Sequence, residues 1–91
     1  MSYVVNLTEQ ALADSDHLEQ DEPKAYQKFL IFLQELAEHP KTGTGHPEQL
    51  KGMPKGRWSR RLSKKHRMVY RIYDTEVVVL VLSAYGHYDD K

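Results

Sequence analysis

The chain of 91 residues contains no cysteine, which excludes a disulfide framework and a zinc site built from thiolates. It has no apolar run near the roughly 20 residues that a transmembrane helix needs, and its first residues lack the basic region of a signal peptide. These absences predict a soluble, cytoplasmic protein without a membrane anchor. The length suits a single domain over residues 1–91, and an apolar fraction of 40% can fill one modest core.

Acidic and basic residues are each scarce in one half of the chain. Residues 1–40 carry eight acidic and two basic residues, whereas residues 41–91 carry five acidic and eleven basic ones. After Glu48 no acidic residue occurs up to Tyr70. A surface strip of one sign attracts polyanions, and nucleic-acid phosphate is the commonest of them. The alternative is that the two halves attract each other within the fold, and charge alone does not decide between these interpretations.

The first half of the chain predicts one strand and two helices. Residues 3–7 are β-rich, and Thr8 can cap a helix that runs from Glu9 to about Glu19. Asp21 is the predicted N-cap of a second helix, which has a proline in its first turn and ends before Pro40. Apolar residues at helical spacing form the predicted inner face of this second helix, namely Tyr26, Phe29, Leu30, Leu33, Leu36 and Ala37.

The second half predicts a loop followed by strands. Residues 40–47 contain two glycines and two prolines, so they form a loop that either places Glu48 or only connects its neighbours. From residue 57 onward the pattern has period two, with turns at residues 63–65 and 74–75, and it predicts an antiparallel meander. The first strand is expected beside the last one, with both helices on one face. The prediction is a two-layer α+β fold in the order β-α-α-β-β-β.

Four short motifs in the second half form a spaced set. They are PEQLK at 47–51, WSRR at 58–61, HRMVY at 66–70 and the pair HY at 87–88. Residues 44–88 thereby resemble the YoeB/Txe toxins of bacterial type II toxin–antitoxin systems, in the RelE superfamily. The resemblance implies a RelE-like fold and a ribosome-dependent mRNA endonuclease, or mRNA interferase. It also implies a YefM-type antitoxin, the ribosome (30S/70S) and mRNA as partners, and it leaves a homodimer open.

The resemblance further assigns a role to each residue of the proposed site. It implies that Glu48 is the general base, Arg67 stabilises the phosphate, and His87 is the general acid. It also implies that Tyr88 orients the RNA and that Lys51 supports the transition state. We predict cleavage without a metal or a cofactor, and the other histidines of this chain, His17, His39, His46 and His66, show no spacing typical of metal ligands.

Physical chemistry supports these roles but leaves alternatives for each residue. Metal-free RNA cleavage needs a base for the 2′-hydroxyl, a cation for the phosphate and an acid for the leaving oxygen. Glu48 would repel phosphate on a pure binding surface, which favours a catalytic role over an ordinary solvated one. Arg67 can grip phosphate through two donors, or it can form a salt bridge with Asp74 or Glu76. His87 is either the acid or a tail histidine without a role.

The remaining cations of the basic strip are predicted to contact the RNA backbone rather than read its sequence. They are Lys55, Arg57, Arg60, Arg61, Lys64 and Lys65. Trp58 alternates onto a strand face and is interpreted as a core residue, whereas Tyr85 is either a stacking surface for a base or structural. The competing function is a non-catalytic basic module that blocks the ribosome or, like the ParE-type toxins, gyrase. The complete Glu48, Arg67, His87 and Tyr88 set favours the enzyme.

Overall fold

The computed structural model describes residues 2–52 and 56–86, which form a five-stranded sheet and two helices. The elements are β1 (Val4–Leu7), α1 (Glu9–Asp21), α2 (Pro23–Glu38), β2 (Glu48–Gln49), β3 (Arg57–Arg61), β4 (Arg67–Tyr73) and β5 (Val78–Ser83). The sheet order is β1-β5-β4-β3-β2, and β1 runs parallel to β5 while the other neighbours are antiparallel. The predicted α+β fold is confirmed, including the position of β1 beside the last strand. The short edge strand β2 was not predicted.

The start of α1 matches the prediction, but the junction between the helices does not. The hydroxyl of Thr8 caps α1 by accepting a hydrogen bond from its first turn. The helix then continues to Asp21, so the prediction that Asp21 caps the second helix is wrong. Only Glu22 separates the helices, because its N–H still donates to the carbonyl of Leu18 at 2.8 Å and α2 begins directly at Pro23.

The core lies between the helices and the sheet. It consists of Ala11, Leu18, Ala25, Phe29, Phe32, Leu36, Leu62, Met68, Tyr70, Val79, Val81 and Ala84. In α2 the inner face is centred on Phe29, Phe32 and Leu36, whereas Leu30 is 39% exposed and lies at the edge of the predicted stripe. Trp58 packs against this core, as its position in the strand predicted. Neither helix in the described part of the chain is long and apolar enough to cross a membrane.

Candidate active site

The sheet face opposite the helices carries four arginines. In β3 and β4 the alternate residues belong to the core side, so the arginines between them face away from the helices. The strand register places Arg57 opposite Arg71 and Arg61 opposite Arg67. Like charges directly across two strands are unfavourable in themselves, but they suit a surface that binds a polyanion. We call this surface the open face because neither helix covers it. Its polar residues are Glu48, Arg57, Ser59, Arg61, Arg67 and Arg71, of which Ser59 is buried.

Glu48 and Arg67 lie next to each other on the open face. Glu48 is in β2, where the register pairs it with Ser59 of β3. Arg67 Nη1 lies 3.7 Å from Glu48 Oε1 and 3.5 Å from Ser59 Oγ. The side chain of Arg67 is 22% exposed and that of Glu48 is 61% exposed. A carboxylate and a guanidinium therefore share one solvent-accessible spot, with donors of the guanidinium left for a further anion.

The ion-pair partner of Arg67 is Glu48, and Asp74 has other partners. The hydroxyl of Tyr3 donates to Asp74 Oδ1 at 2.8 Å, and Lys41 Nζ lies 3.4 Å from Asp74 Oδ2. The hydrogen bond from Tyr3 lowers the pKa of Asp74, and Lys41 adds to that shift. Asp74 thus belongs to a contact between Tyr3, which directly precedes β1, the 40–47 loop and the turn after β4.

Arg60 does not lie on the open face, and the prediction that it binds RNA is wrong. Its side chain is fully buried, with Nη1 2.6 Å from Glu35 Oε1 and Nε 3.1 Å from Tyr70 Oη. The alternation of β3 turns this residue toward the helices, on the same side as Trp58. A buried guanidinium is tolerated only where acceptors surround it, and here they do.

The buried guanidinium also fixes the loop that leads to Glu48. It donates to the carbonyl oxygens of His39 at 2.6 Å, Thr42 at 2.7 Å and Thr44 at 3.3 Å. Glu35 in turn accepts hydrogen bonds from Thr44 N at 3.0 Å and Thr44 Oγ1 at 2.8 Å. Since α2 and β3 both hold it, the loop does more than connect its neighbours.

The electrostatics of Glu35 follow from the same contacts. Burial raises the pKa of its carboxyl, but the hydrogen bonds from Thr44 and Arg60 outweigh burial, so the net shift is downward. Burial also raises the pKa of the Tyr70 hydroxyl, which donates to the carbonyl oxygen of Pro40 at 2.8 Å. Both groups therefore keep the protonation state that their hydrogen bonds require.

Three further predicted site residues lie on or next to the open face, and three lie outside the described residues. Arg57 and Arg61 are on the open face itself. Lys51 is exposed and follows Leu50, whose N–H donates to the carbonyl of Arg57 at 2.8 Å. Lys51 is thus carried on the segment that directly follows β2. The predicted residues outside the described part are Lys55, His87 and Tyr88.

Lys64 and Lys65 occupy a different surface from the arginines. Both are exposed in the turn between β3 and β4, and they line a cleft together with Asp21 and Glu22 of the helix junction. Acidic neighbours offset part of their charge, so RNA contact by these two lysines stays a prediction. Within residues 2–52 and 56–86, no three histidine, aspartate or glutamate side chains converge as a metal site.

Arg71 is the basic residue of the open face that sequence reasoning left without a role. Its guanidinium lies 5.3 Å from the centre of the Tyr73 ring, and its backbone is in register with Arg57. Arg71 shares its face of β4 with Val69 and Tyr73, because successive side chains of a strand alternate between the two faces. Pairing that strand with β3 in the correct register would have shown that it extends the row of arginines.

The sequence and the structure are similar to known bacterial toxins. Residues 7–88 match the family model of the YoeB-like toxin of bacterial type II toxin–antitoxin systems. Toxin YoeB of Synechocystis sp. is 33% identical over 84 residues, which cover 92% of this chain and 95% of that relative. The YoeB dimer from Staphylococcus aureus has a TM-score of 0.81 at 27% identity, over 97% of this chain and 100% of that one. The heterotetrameric YoeB–YefM complex from Staphylococcus aureus has a TM-score of 0.77 at 28% identity, with the same coverage.

Proposed function

The chain belongs to the YoeB-like toxins of bacterial type II toxin–antitoxin systems, and from this premise we propose that it is a ribosome-dependent mRNA endonuclease. The observation that carries the proposal is the position of Glu48, 3.7 Å from Arg67 on the open basic face. A base and a phosphate-binding cation are two of the three groups that metal-free RNA cleavage requires. The third group is an acid, for which the sequence offers His87.

The proposed reaction begins at the 2′-hydroxyl of the RNA. The Glu48 carboxylate takes the hydroxyl proton, and the 2′-oxygen attacks the adjacent phosphorus. Arg67 stabilises the negative charge that grows on the phosphate oxygens, and Lys51 adds positive charge from the segment after β2. His87 donates a proton to the 5′-oxygen as its bond to phosphorus breaks. The products are a cyclic phosphate and a free 5′-hydroxyl end.

The arginines of the open face position the RNA in this proposal. Arg61 lies across the strands from Arg67, whereas Arg57 and Arg71 form the second opposed pair. The two pairs are four residues apart along each strand, which corresponds to about 13 Å in a β-strand. Phosphate contacts of this kind fix register and orientation but carry no sequence information. Tyr88 would orient the base next to the cut.

The partners of the chain are proposed from the same family. Since the Staphylococcus aureus relative forms a heterotetramer with YefM and also a dimer, we propose a YefM-type antitoxin and self-association here. An acidic segment that orders on binding would complement the open basic face. The substrate, mRNA on the ribosome, places the activity in the cytoplasm.

Primer extension on translating ribosomes tests the proposed function. The purified chain should produce new 5′ ends within the message, and Glu48→Gln should slow cutting about 10²–10⁴-fold, the usual loss for a general base. Glu9→Gln is the matched control, since Glu9 is an exposed glutamate at the start of α1, and it should cut at the wild-type rate. If wild type and Glu48→Gln both arrest translation without new ends, the chain is a binding module and the enzyme proposal is wrong.

A further inference from the structure

The chain that leaves β5 is tied to α1 before it reaches the last residues. Ala84 N donates to Asp14 Oδ2 at 2.9 Å, and Asp14 is only 3% exposed. The Tyr85 hydroxyl donates to Asp21 Oδ2 at 2.7 Å. A backbone group and a side chain of successive residues are thereby attached to two positions along one helix. The path of the chain is fixed as far as Tyr85.

His66 makes the next attachment and uses both of its ring nitrogens. Gly86 N donates to His66 Nδ1 at 2.7 Å, and His66 Nε2 lies 2.9 Å from Glu22 Oε2. The ring is stacked on Tyr85, with 4.4 Å between the ring centres, and His66 is 5% exposed. Because Nδ1 accepts a hydrogen bond, the ring proton lies on Nε2 and is donated to the carboxylate. The contacts therefore require the neutral Nε2–H tautomer.

His66 is next to one proposed site residue in the chain and contacts the neighbour of another. In the chain it directly precedes Arg67, and it binds the residue that directly precedes His87. Gly86 has a φ of +103°, a backbone conformation that glycine adopts without strain and that residues with side chains rarely adopt. Gly86 is the last described residue before the proposed acid, and the hydrogen bond to His66 holds its backbone.

We propose that His66 is a positioning residue that locks the backbone at Gly86, the last described residue before His87, and that catalysis by His87 depends on this hydrogen bond. This proposal rests on the proposed function, in which His87 is the general acid. His66 touches neither RNA nor the reacting atoms in this account. It acts through one backbone hydrogen bond, and Glu22 acts by holding the tautomer that can accept that bond.

Nitrogen NMR of the wild-type chain tests the hydrogen bond independently of activity. Long-range ¹⁵N–¹H spectra at neutral pH should show a protonated Nε2 and an unprotonated Nδ1 for His66. Glu22→Gln should shift the Gly86 amide resonance, whereas Glu19→Gln, an exposed residue one turn earlier in α1, should leave it in place. A protonated Nδ1 in the wild type would overturn the proposal, whatever the cleavage assay gives.

A double-mutant cycle tests the catalytic part. His66→Phe keeps an aromatic ring against Tyr85 but removes both nitrogens, and we expect cleavage on ribosomes to fall about 10–100-fold, as for a misplaced catalytic group. In a His87→Ala background the same change should cost less than about 2-fold, because the group that it positions is gone. His39→Phe, the same change at an exposed histidine, is the control.

The outcomes separate the two proposals. If His66→Phe reduces cleavage by the same factor in both backgrounds, His66 only supports the fold and the positioning role is wrong. If the His66→Phe variant is folded, as judged by circular dichroism, and cuts at the wild-type rate, the positioning role is also wrong. If His87→Ala itself cuts at the wild-type rate, the assignment of the acid fails, which is a failure of the proposed function and takes the positioning role with it.

Discussion

Replacing Arg60 by methionine should lower the stability of the fold far more than the same change at Arg61. Both residues belong to one basic run, and both were predicted to contact RNA. In the structure Arg60 is buried against Glu35, whereas Arg61 is exposed on the open face. The substitution retains most of the aliphatic volume at either position. Any difference in stability therefore reports the contacts of the guanidinium.

The expected loss can be worked from the contacts that Arg60 makes. Removing one partner of a buried ion pair typically costs about 3–5 kcal/mol, and each buried acceptor left without a donor costs about 1–3 kcal/mol. After the substitution Glu35 keeps its hydrogen bonds from Thr44, and its side chain is 23% exposed. The two costs therefore partly describe the same loss and do not add, so we expect a total loss of about 3–5 kcal/mol. For a chain of this size each kcal/mol of lost unfolding free energy lowers the melting temperature by about 4–8 °C. The melting temperature should fall by at least about 12 °C.

Thermal unfolding followed by circular dichroism measures this directly. Arg61→Met should melt within about 4 °C of the wild type, because exposed substitutions change stability by about 0.5 kcal/mol or less. It should instead weaken binding of a short single-stranded RNA. The reasoning is refuted if Arg60→Met melts like wild type and loses RNA affinity. That result would place the guanidinium on the RNA-binding surface, as the sequence first indicated.

Three other results are expected. Arg71→Ala should lower the slope of log affinity for single-stranded RNA against log salt by about 0.7, the value for one lost phosphate contact. An unchanged slope would show that Arg71 does not contact the RNA. The pKa of Glu35 is lower in the folded chain than its ordinary value of 4.5. Ionised Glu35 therefore stabilises the fold fully above pH 4.5, and this stabilisation is lost as the pH falls through the folded-state pKa. The free energy of unfolding of Glu35→Gln should therefore fall less than that of the wild type when the pH is lowered below 4.5. Equal pH profiles of unfolding free energy for the two proteins would contradict this. Arg67→Ala should lower toxicity in cells and leave binding of a YefM-type antitoxin largely intact in a pull-down. Loss of both together would indicate a folding defect.

The order of elements could be predicted from the sequence because local patterns specify it. The period-two runs after residue 57 and the cap at Thr8 are local signals, and the structure contains the strands and the helix start that they predict. The helix junction was mispredicted because Asp21 has a good capping side chain, whereas the tertiary contact with Tyr85 uses that side chain elsewhere. The two-residue strand β2 is too short to leave a pattern.

The candidate site was predictable in composition but not in every side-chain direction. The motifs identified Glu48 and Arg67 as candidate site residues, and in the structure these two side chains lie next to each other. Arg60 could not be separated from Arg61 by residue type, since only the strand's orientation decides which of them meets Glu35. Likewise, His66 has no metal-ligand spacing, and its bond to Gly86 joins residues 20 apart in the chain.

The central claim is that Glu48 and Arg67 serve an attack by the RNA's own 2′-hydroxyl, and replacing that hydroxyl tests it most directly. A message with a single 2′-deoxynucleotide at the cut site should stay intact on ribosomes with the wild-type chain. The unmodified message should be cut to a cyclic phosphate and a 5′-hydroxyl. Cutting of the deoxy message at the normal rate, or no cutting of either message, would contradict the account.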